Sequence, residues 1–154
     1  MTPTFRRAGV DDAETLERFS KEAFDPRFGE SWSRGQLVGT LSLATSWSEI
    51  VEIDESIAGF AVLRHVVDES ELLLIAVRAD LRGSGLGRDL LARASNVAAE
   101  RGSRQLFLEV RASNVAGRKL YERLGFAKIG ERKGYYRGRG GEMHDAITMA
   151  RDLL

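Results

Sequence analysis

The sequence predicts an α/β protein built around one central sheet with helices on both of its sides. Three observations carry this expectation. Short apolar runs recur along the chain, segments with helical periodicity lie between them, and 154 residues are enough for one sizeable core with no stretch left for a second. Residues 1–154 are therefore expected to form a single domain.

Taken in order, Thr4-Phe5-Arg6-Arg7-Ala8 reads as a short first strand, and Asp11 or Asp12 is placed to cap a helix that reaches about Phe24. A loop with Asp25-Pro26 and Gly29 follows, and Ser31 or Ser33 starts a second short helix through Leu41. Glu49–Ile53 and Ile57–Val67 read as two strands joined around Asp54-Glu55-Ser56, a hairpin. Glu71–Val77 is the next strand, ending in the apolar run Leu72-Leu73-Leu74-Ile75-Ala76-Val77. The segment Leu86 to Glu100 sets Leu86, Leu90, Leu91, Ala94, Val97 and Ala98 on one helical face. Gln105–Val110 reads as a buried strand, Asn114 to Leu124 as a shorter helix, and Phe126–Glu131 as a strand. Arg132 to Gly141, rich in glycine and arginine, is expected to be an exposed loop before a final strand near Asp145–Ala150. The order is β-α-α-β-β-β-α-β-α-β-β.

Composition excludes several classes of function. The chain has no cysteine, so disulfides, a thiol nucleophile and thiolate metal ligands are ruled out, and His65 and His144 alone supply imidazole; no metal site is expected. Met1 to Arg6 lacks an apolar signal-like core, and no apolar run reaches the roughly 18 residues of a membrane span, so a cytoplasmic protein without membrane attachment is expected. Net charge is zero but unevenly placed: residues 1–77 carry 7 basic and 14 acidic side chains, residues 78–154 carry 16 and 9. A basic surface near the middle of the chain suits a polyphosphate, and an acidic surface elsewhere attracts a cationic acceptor. No nucleic-acid motif accompanies the arginines, and nucleic acid is not expected as a partner.

The chemistry concentrates in Arg82-Gly83-Ser84-Gly85-Leu86-Gly87-Arg88, which lies between an apolar strand and an amphipathic helix. Glycines let the backbone curl so that successive N–H groups point inward, and the positive end of the helix dipole adds to their field. The site suits a pyrophosphate. No Lys-Ser/Thr pair follows the last glycine, so a nucleoside triphosphate loop is disfavoured. A dinucleotide fingerprint needs an acidic residue about 20 positions on, and Glu109 stands at roughly that distance, so spacing alone leaves that reading open.

The pattern Arg-x-x-Gly-x-Gly in mid-chain resembles the coenzyme A loop of the GNAT superfamily of N-acetyltransferases. The resemblance extends over nearly the whole chain: Leu72–Val77, the glycine loop, Leu108-Glu109-Val110-Arg111-Ala112-Ser113-Asn114 and Leu120-Tyr121-Glu122-Arg123-Leu124-Gly125-Phe126 occur in the family's order. With Tyr135-Tyr136 and Asp145-Ala146-Ile147 they look like the bacterial branch that acetylates the N-terminal alanine of protein eighteen of the small ribosomal subunit. This implies a mixed, mostly antiparallel sheet with a splayed strand pair, acetyl-coenzyme A as cofactor, and a protein N-terminus as partner, the enzyme being a monomer or weak oligomer. It implies further that Glu109 is the base and Tyr121 the acid, and that Ile75, Ala76 and Val77 hold pantetheine, the Val77 N–H polarising the thioester carbonyl. Gly83, Ser84, Gly85, Leu86, Gly87 and Arg88 would take the pyrophosphate, with Arg82 or Arg88 adding charge.

The residues support these roles independently. An amine nucleophile of pKa roughly 8 is mostly protonated at neutral pH and needs a base, and a leaving thiolate needs a proton donor. Asn114 fits equally as helix N-cap and as cofactor ligand. Tyr135 and Tyr136, with Trp32 and Phe24 from the first helical pair, are candidates to wall the acceptor slot. Two departures from the branch bear on the acceptor: His144 replaces the usual acidic residue, and Asp25 to Trp32 is longer than the usual Pro-Trp turn. Acetylation of a lysine side chain or small amine, and non-catalytic binding of an acyl-coenzyme A, are the alternative functions.

Overall fold

The computed structural model describes residues 2–153. Seven strands form one sheet: β1 (Thr4–Arg7), β2 (Ser46–Ile53), β3 (Ser56–Val66), β4 (Glu69–Val77), β5 (Gln105–Arg111), β6 (Ala127–Arg137) and β7 (Met143–Asp152). Their spatial order is β1-β2-β3-β4-β5-β7-β6, with every neighbouring pair antiparallel except β4 and β5. The helices α1 (Ala13–Ala23) and α2 (Arg34–Leu41) pack on one face, α3 (Leu86–Glu100) and α4 (Val115–Arg123) on the other.

Each helix follows from local chemistry. Ser33 caps α2, its hydroxyl accepting the Gln36 N–H at 3.1 Å while the Gln36 side chain takes the Ser33 N–H at 2.8 Å, a reciprocal box that fixes Ser33 as the start. Asn114 caps α4 by accepting the Gly117 N–H at 3.0 Å. In α3, Leu86, Leu90, Leu91, Ala94 and Ala98 are buried, the stripe that the periodicity predicts. Between β2 and β3, Asp54 and Glu55 both adopt positive φ, 51° and 65°, the mirror-image two-residue turn whose twist matches the strands.

β4 carries the irregularity that opens the sheet. Val62 pairs with Leu74 and Leu63 with Leu72, so Leu73 is an extra residue. The slip reverses the facing of the side chains, and Leu72 packs on the α3 side while Leu74 and Ala76 pack with α1 and α2. Pairing of β4 with β5 ends at Leu72 and Leu108, although β4 continues to Val77 and β5 to Arg111. β5 keeps its partner β7 as far as Arg111 and Ala146. The two strands therefore diverge, and the expected splay is present.

The segment Arg132 to Gly141 corrects the sequence reading. β6 runs on to Arg137, and the turn occupies only 138–142. Arg132 pairs with Ala146 and Tyr136 with His144, so Lys133, Gly134 and Tyr135 bulge opposite Asp145, whose carboxylate accepts the Gly134 N–H at 2.9 Å. Pairing with β7 overrides a glycine- and arginine-rich composition that is poor in strand formers. β2 likewise begins at Ser46, three residues before the expected Glu49. Among the described residues, no helix is long and apolar enough to cross a membrane.

Candidate active site

The gap between β4 and β5 is lined by strand ends that carry several of the sequence-selected residues. The Arg78 N–H donates to the Ala58 carbonyl at 2.8 Å, and backbone groups alternate along a strand, so the N–H and C=O of Ile75 and Val77 turn away from β3 into the gap while those of Ala76 face β3. An extended amide chain laid there would find strand-like partners.

Immediately beyond, Gly83 and Gly85 take φ of 79° and 94°, a region that side-chain-bearing residues avoid, and a Cβ built on either meets nothing within 4 Å. The loop is curled and open. The first intrahelical bond of α3 runs from the Asp89 N–H to the Gly85 carbonyl at 3.0 Å, which leaves the N–H groups of Leu86, Gly87 and Arg88 without partners inside the helix, and no side chain caps them. These donors and the helix dipole suit a pyrophosphate. Ser84 donates its hydroxyl to the Leu81 carbonyl, and Arg88 lies exposed beside Asp89. Arg82 is differently employed: its guanidinium reaches the Ala23 carbonyl at the end of α1 and the Val77 carbonyl at the end of β4. It ties the helix to the gap. Asn114 spends its side-chain oxygen on the cap of α4 and keeps its amide nitrogen for other use.

Glu109 and Tyr121 belong to opposite faces of the sheet. Leu106, Leu108 and Val110 point into the core beneath α3 and α4, so alternation turns Glu109 to the other face. Its Oε2 accepts the Thr148 hydroxyl at 2.7 Å, its Oε1 lies 3.6 Å from Arg132, and its backbone carbonyl accepts the Tyr136 hydroxyl at 3.1 Å. Tyr121, on α4, is buried with its ring edge-on to Phe126 at 6.0 Å. Burial, with the Glu30 charge second, pushes its phenol above the ordinary value, so it stays protonated at neutral pH. Among the described residues, Trp47 Nε1 alone is a fully sealed side-chain polar atom without a partner, and no protein hydrogen bond holds the Tyr121 hydroxyl. That hydroxyl is therefore left without a protein partner.

Sequence reasoning missed Glu30. Gly29, at φ 64°, turns it inward, where it pairs with Arg111 at 3.4 Å across 81 positions of sequence, each side chain only 13–14% exposed. Burial raises the Glu30 carboxyl above its usual range against the lowering pull of Arg111. Arg111, two positions beyond Glu109 on β5, is thus committed to Glu30. Arg111 also stacks on Phe28 at 3.6 Å, and Phe28 meets His144 edge-on at 5.0 Å. The two departures from the branch pattern are neighbours in space.

Tyr136 sits in the same cluster. Burial first, then Glu30, Tyr135, Tyr121 and Glu109, raise its hydroxyl pKa. Tyr135 stacks edge-on to Tyr136 at 4.9 Å and lies under Arg132 at the exposed rim. Trp32 is placed apart from them: it packs, partly buried, against the α1–α2 cluster with Phe24, its N–H donating to the Ser20 hydroxyl at 3.0 Å.

A splayed sheet edge running into an uncapped, glycine-led helix start is a geometry shared with a known class. The model of the acetyltransferase (GNAT) family matches residues 7–126, and the chain belongs to that family. Within it, the chain is 45% identical over 97 residues to the ribosomal protein bS18-alanine N-acetyltransferase of Salmonella typhimurium, a stretch covering 63% of this chain and 65% of that protein, just under two thirds of its length. It is 37% identical over 119 residues to the protein of that name from Haemophilus influenzae, 77% of this chain and 80% of the other. The crystal structure of the ribosomal-protein-S18-alanine N-acetyltransferase from Escherichia coli superposes with a TM-score of 0.86 at 32% identity, over 99% of this chain and 94% of that one.

Proposed function

We propose that the protein moves an acetyl group from acetyl-coenzyme A to the α-amino group of a protein N-terminus in the cytoplasm, the acceptor being the N-terminal alanine of ribosomal protein bS18. The names of the relatives support the acceptor. The observation that carries the chemistry is the gap between β4 and β5, where pairing stops at Leu72 and Leu108, with the Glu109 carboxylate on one face of the sheet and Tyr121 packed on the other.

Acetyl-coenzyme A, when bound, supplies an activated acetyl group. The α3 N-terminus and the glycine loop fit its pyrophosphate, and the edge groups of Ile75 and Val77 fit the amides of its pantetheine. The Val77 N–H acts as the donor to the oxygen on which negative charge develops. Glu109 takes the proton that the amine must lose, directly or through a water. The Thr148 hydroxyl and Arg132 hold the Glu109 carboxylate in place. Tyr121 donates to the departing sulfur. Its raised pKa keeps the proton in place until thiolate charge appears.

Thiol release with an alanine-initiated peptide tests this reading. Glu109→Gln is expected to lower kcat about a hundredfold with little change in the KM of acetyl-coenzyme A. Undiminished kcat in that variant would remove Glu109 from the role.

A further inference from the structure

Glu30 has no part in the chemistry described above, yet it is a largely buried carboxylate paired with Arg111, which shares a strand face with Glu109. Arg111 follows Glu109 by two positions on β5, so both side chains project from the same face about 7 Å apart along the strand, and Glu30 lies 3.4 Å from Arg111. The segment that carries it is held firmly. A Cβ on Gly29 would stand 1.9 Å from the Arg137 carbonyl, and one on Gly138 would stand 1.8 Å from the Arg27 carbonyl, so two backbones touch where only glycine fits. Arg139 N–H donates to the Pro26 carbonyl at 3.1 Å, and His144 Nε2 lies 3.1 Å from the Arg27 carbonyl. This strap runs from α1 to the β6–β7 hairpin and presents Glu30 on the face that carries Glu109.

Resting on the reading that the acceptor is an amino terminus, we propose that Glu30 is an acceptor-positioning residue: its carboxylate, steadied by Arg111, receives the incoming α-ammonium and delivers it to Glu109. A free amino terminus is mostly cationic at neutral pH, and a half-dry carboxylate with one long, single contact to arginine retains lone pairs for it. The division of labour follows from the partners. Glu109 takes the proton; Glu30 holds the charge while the amine is seated.

The test compares wild type with Glu30→Gln, which preserves size and can still accept from Arg111. Steady-state kinetics are measured with a synthetic alanine-initiated peptide, and binding is measured for that peptide and for its Nα-acetylated product. Melting temperature and acetyl-coenzyme A affinity report whether the strap stays folded. The expected result is a peptide KM raised about tenfold, acetyl-coenzyme A KM unchanged, and affinity lost for the amine peptide but kept for the acetylated one. Equal loss for both peptides, or an unchanged peptide KM, would overturn the assignment and leave the Glu30–Arg111 pair a structural clasp. No turnover of any alanine-initiated peptide by wild type would instead overturn the function on which the assignment rests.

Discussion

The Glu109 carboxylate accepts one hydroxyl and faces one arginine at 3.6 Å, which positions it without filling its lone pairs. Thr148 is the near partner, opposite Glu109 in the β5–β7 register, so Thr148→Val keeps the shape and removes the bond. That variant is expected to lower kcat about three- to tenfold with an unchanged melting temperature, a smaller effect than that proposed for Glu109→Gln. Tyr121→Phe removes only an oxygen with no protein partner, and it should slow turnover at least tenfold while leaving stability within about 0.5 kcal/mol. Circular-dichroism melts beside kinetics separate the two effects. Glu109 and Tyr121 were singled out as candidates because a glutamate ending an apolar strand, and a tyrosine 12 residues on, are local signals to which the family resemblance assigns roles. Glu30 was not. Its partner is 81 positions away, and nothing near Asp25-Pro26 reveals which way a single carboxylate turns; the unusual length of that segment was the one available hint.

Elements show the same division between local and distant causes. The glycine loop and α3 could be read directly, since positive φ at Gly83 and Gly85 and the stripe from Leu86 to Ala98 are properties of neighbouring residues. The extent of β6 could not, because it depends on pairing with β7 and on a bulge pinned by Asp145. Gly85→Ala forces a side chain into a conformation it avoids and is expected to raise the KM of acetyl-coenzyme A more than that of the peptide, as measured by initial rates. At the N-terminal edge, Asp12 accepts from Arg6 at 3.0 Å and from the Gly9 N–H at 2.9 Å, and Arg6 first, then Gly9, hold its carboxyl below the ordinary carboxylate range. A carboxyl depressed on folding adds stability that is present above its unfolded pKa of about 4 and lost as pH falls through the folded value. Because the pair is largely exposed, Asp12→Asn should cost only about 0.5–1 kcal/mol at pH 7, and the difference from wild type should vanish in strong acid; urea melts at both pH values measure it.

Across the whole molecule, the sheet parts at one place, and the elements from both halves of the chain meet there. Arg82 joins α1 to the end of β4, and the strap through Gly29 joins α1 to the β6–β7 hairpin, so the elements around the gap share a frame. A ligand that fills the gap should stabilise that frame as a unit: at 100 times its Kd, acetyl-coenzyme A contributes about 2.7 kcal/mol, or a rise of roughly 5–10 °C in Tm for a chain of this size. The acceptor is the central claim. Mass spectrometry of an alanine-initiated peptide copied from the bS18 N-terminus, incubated with enzyme and acetyl-coenzyme A beside a lysine-containing peptide with a blocked N-terminus, tests it most directly. One acetyl group on the α-nitrogen of the first peptide and none on the second is the predicted result; acetylation of the blocked lysine peptide, or of neither, would contradict it.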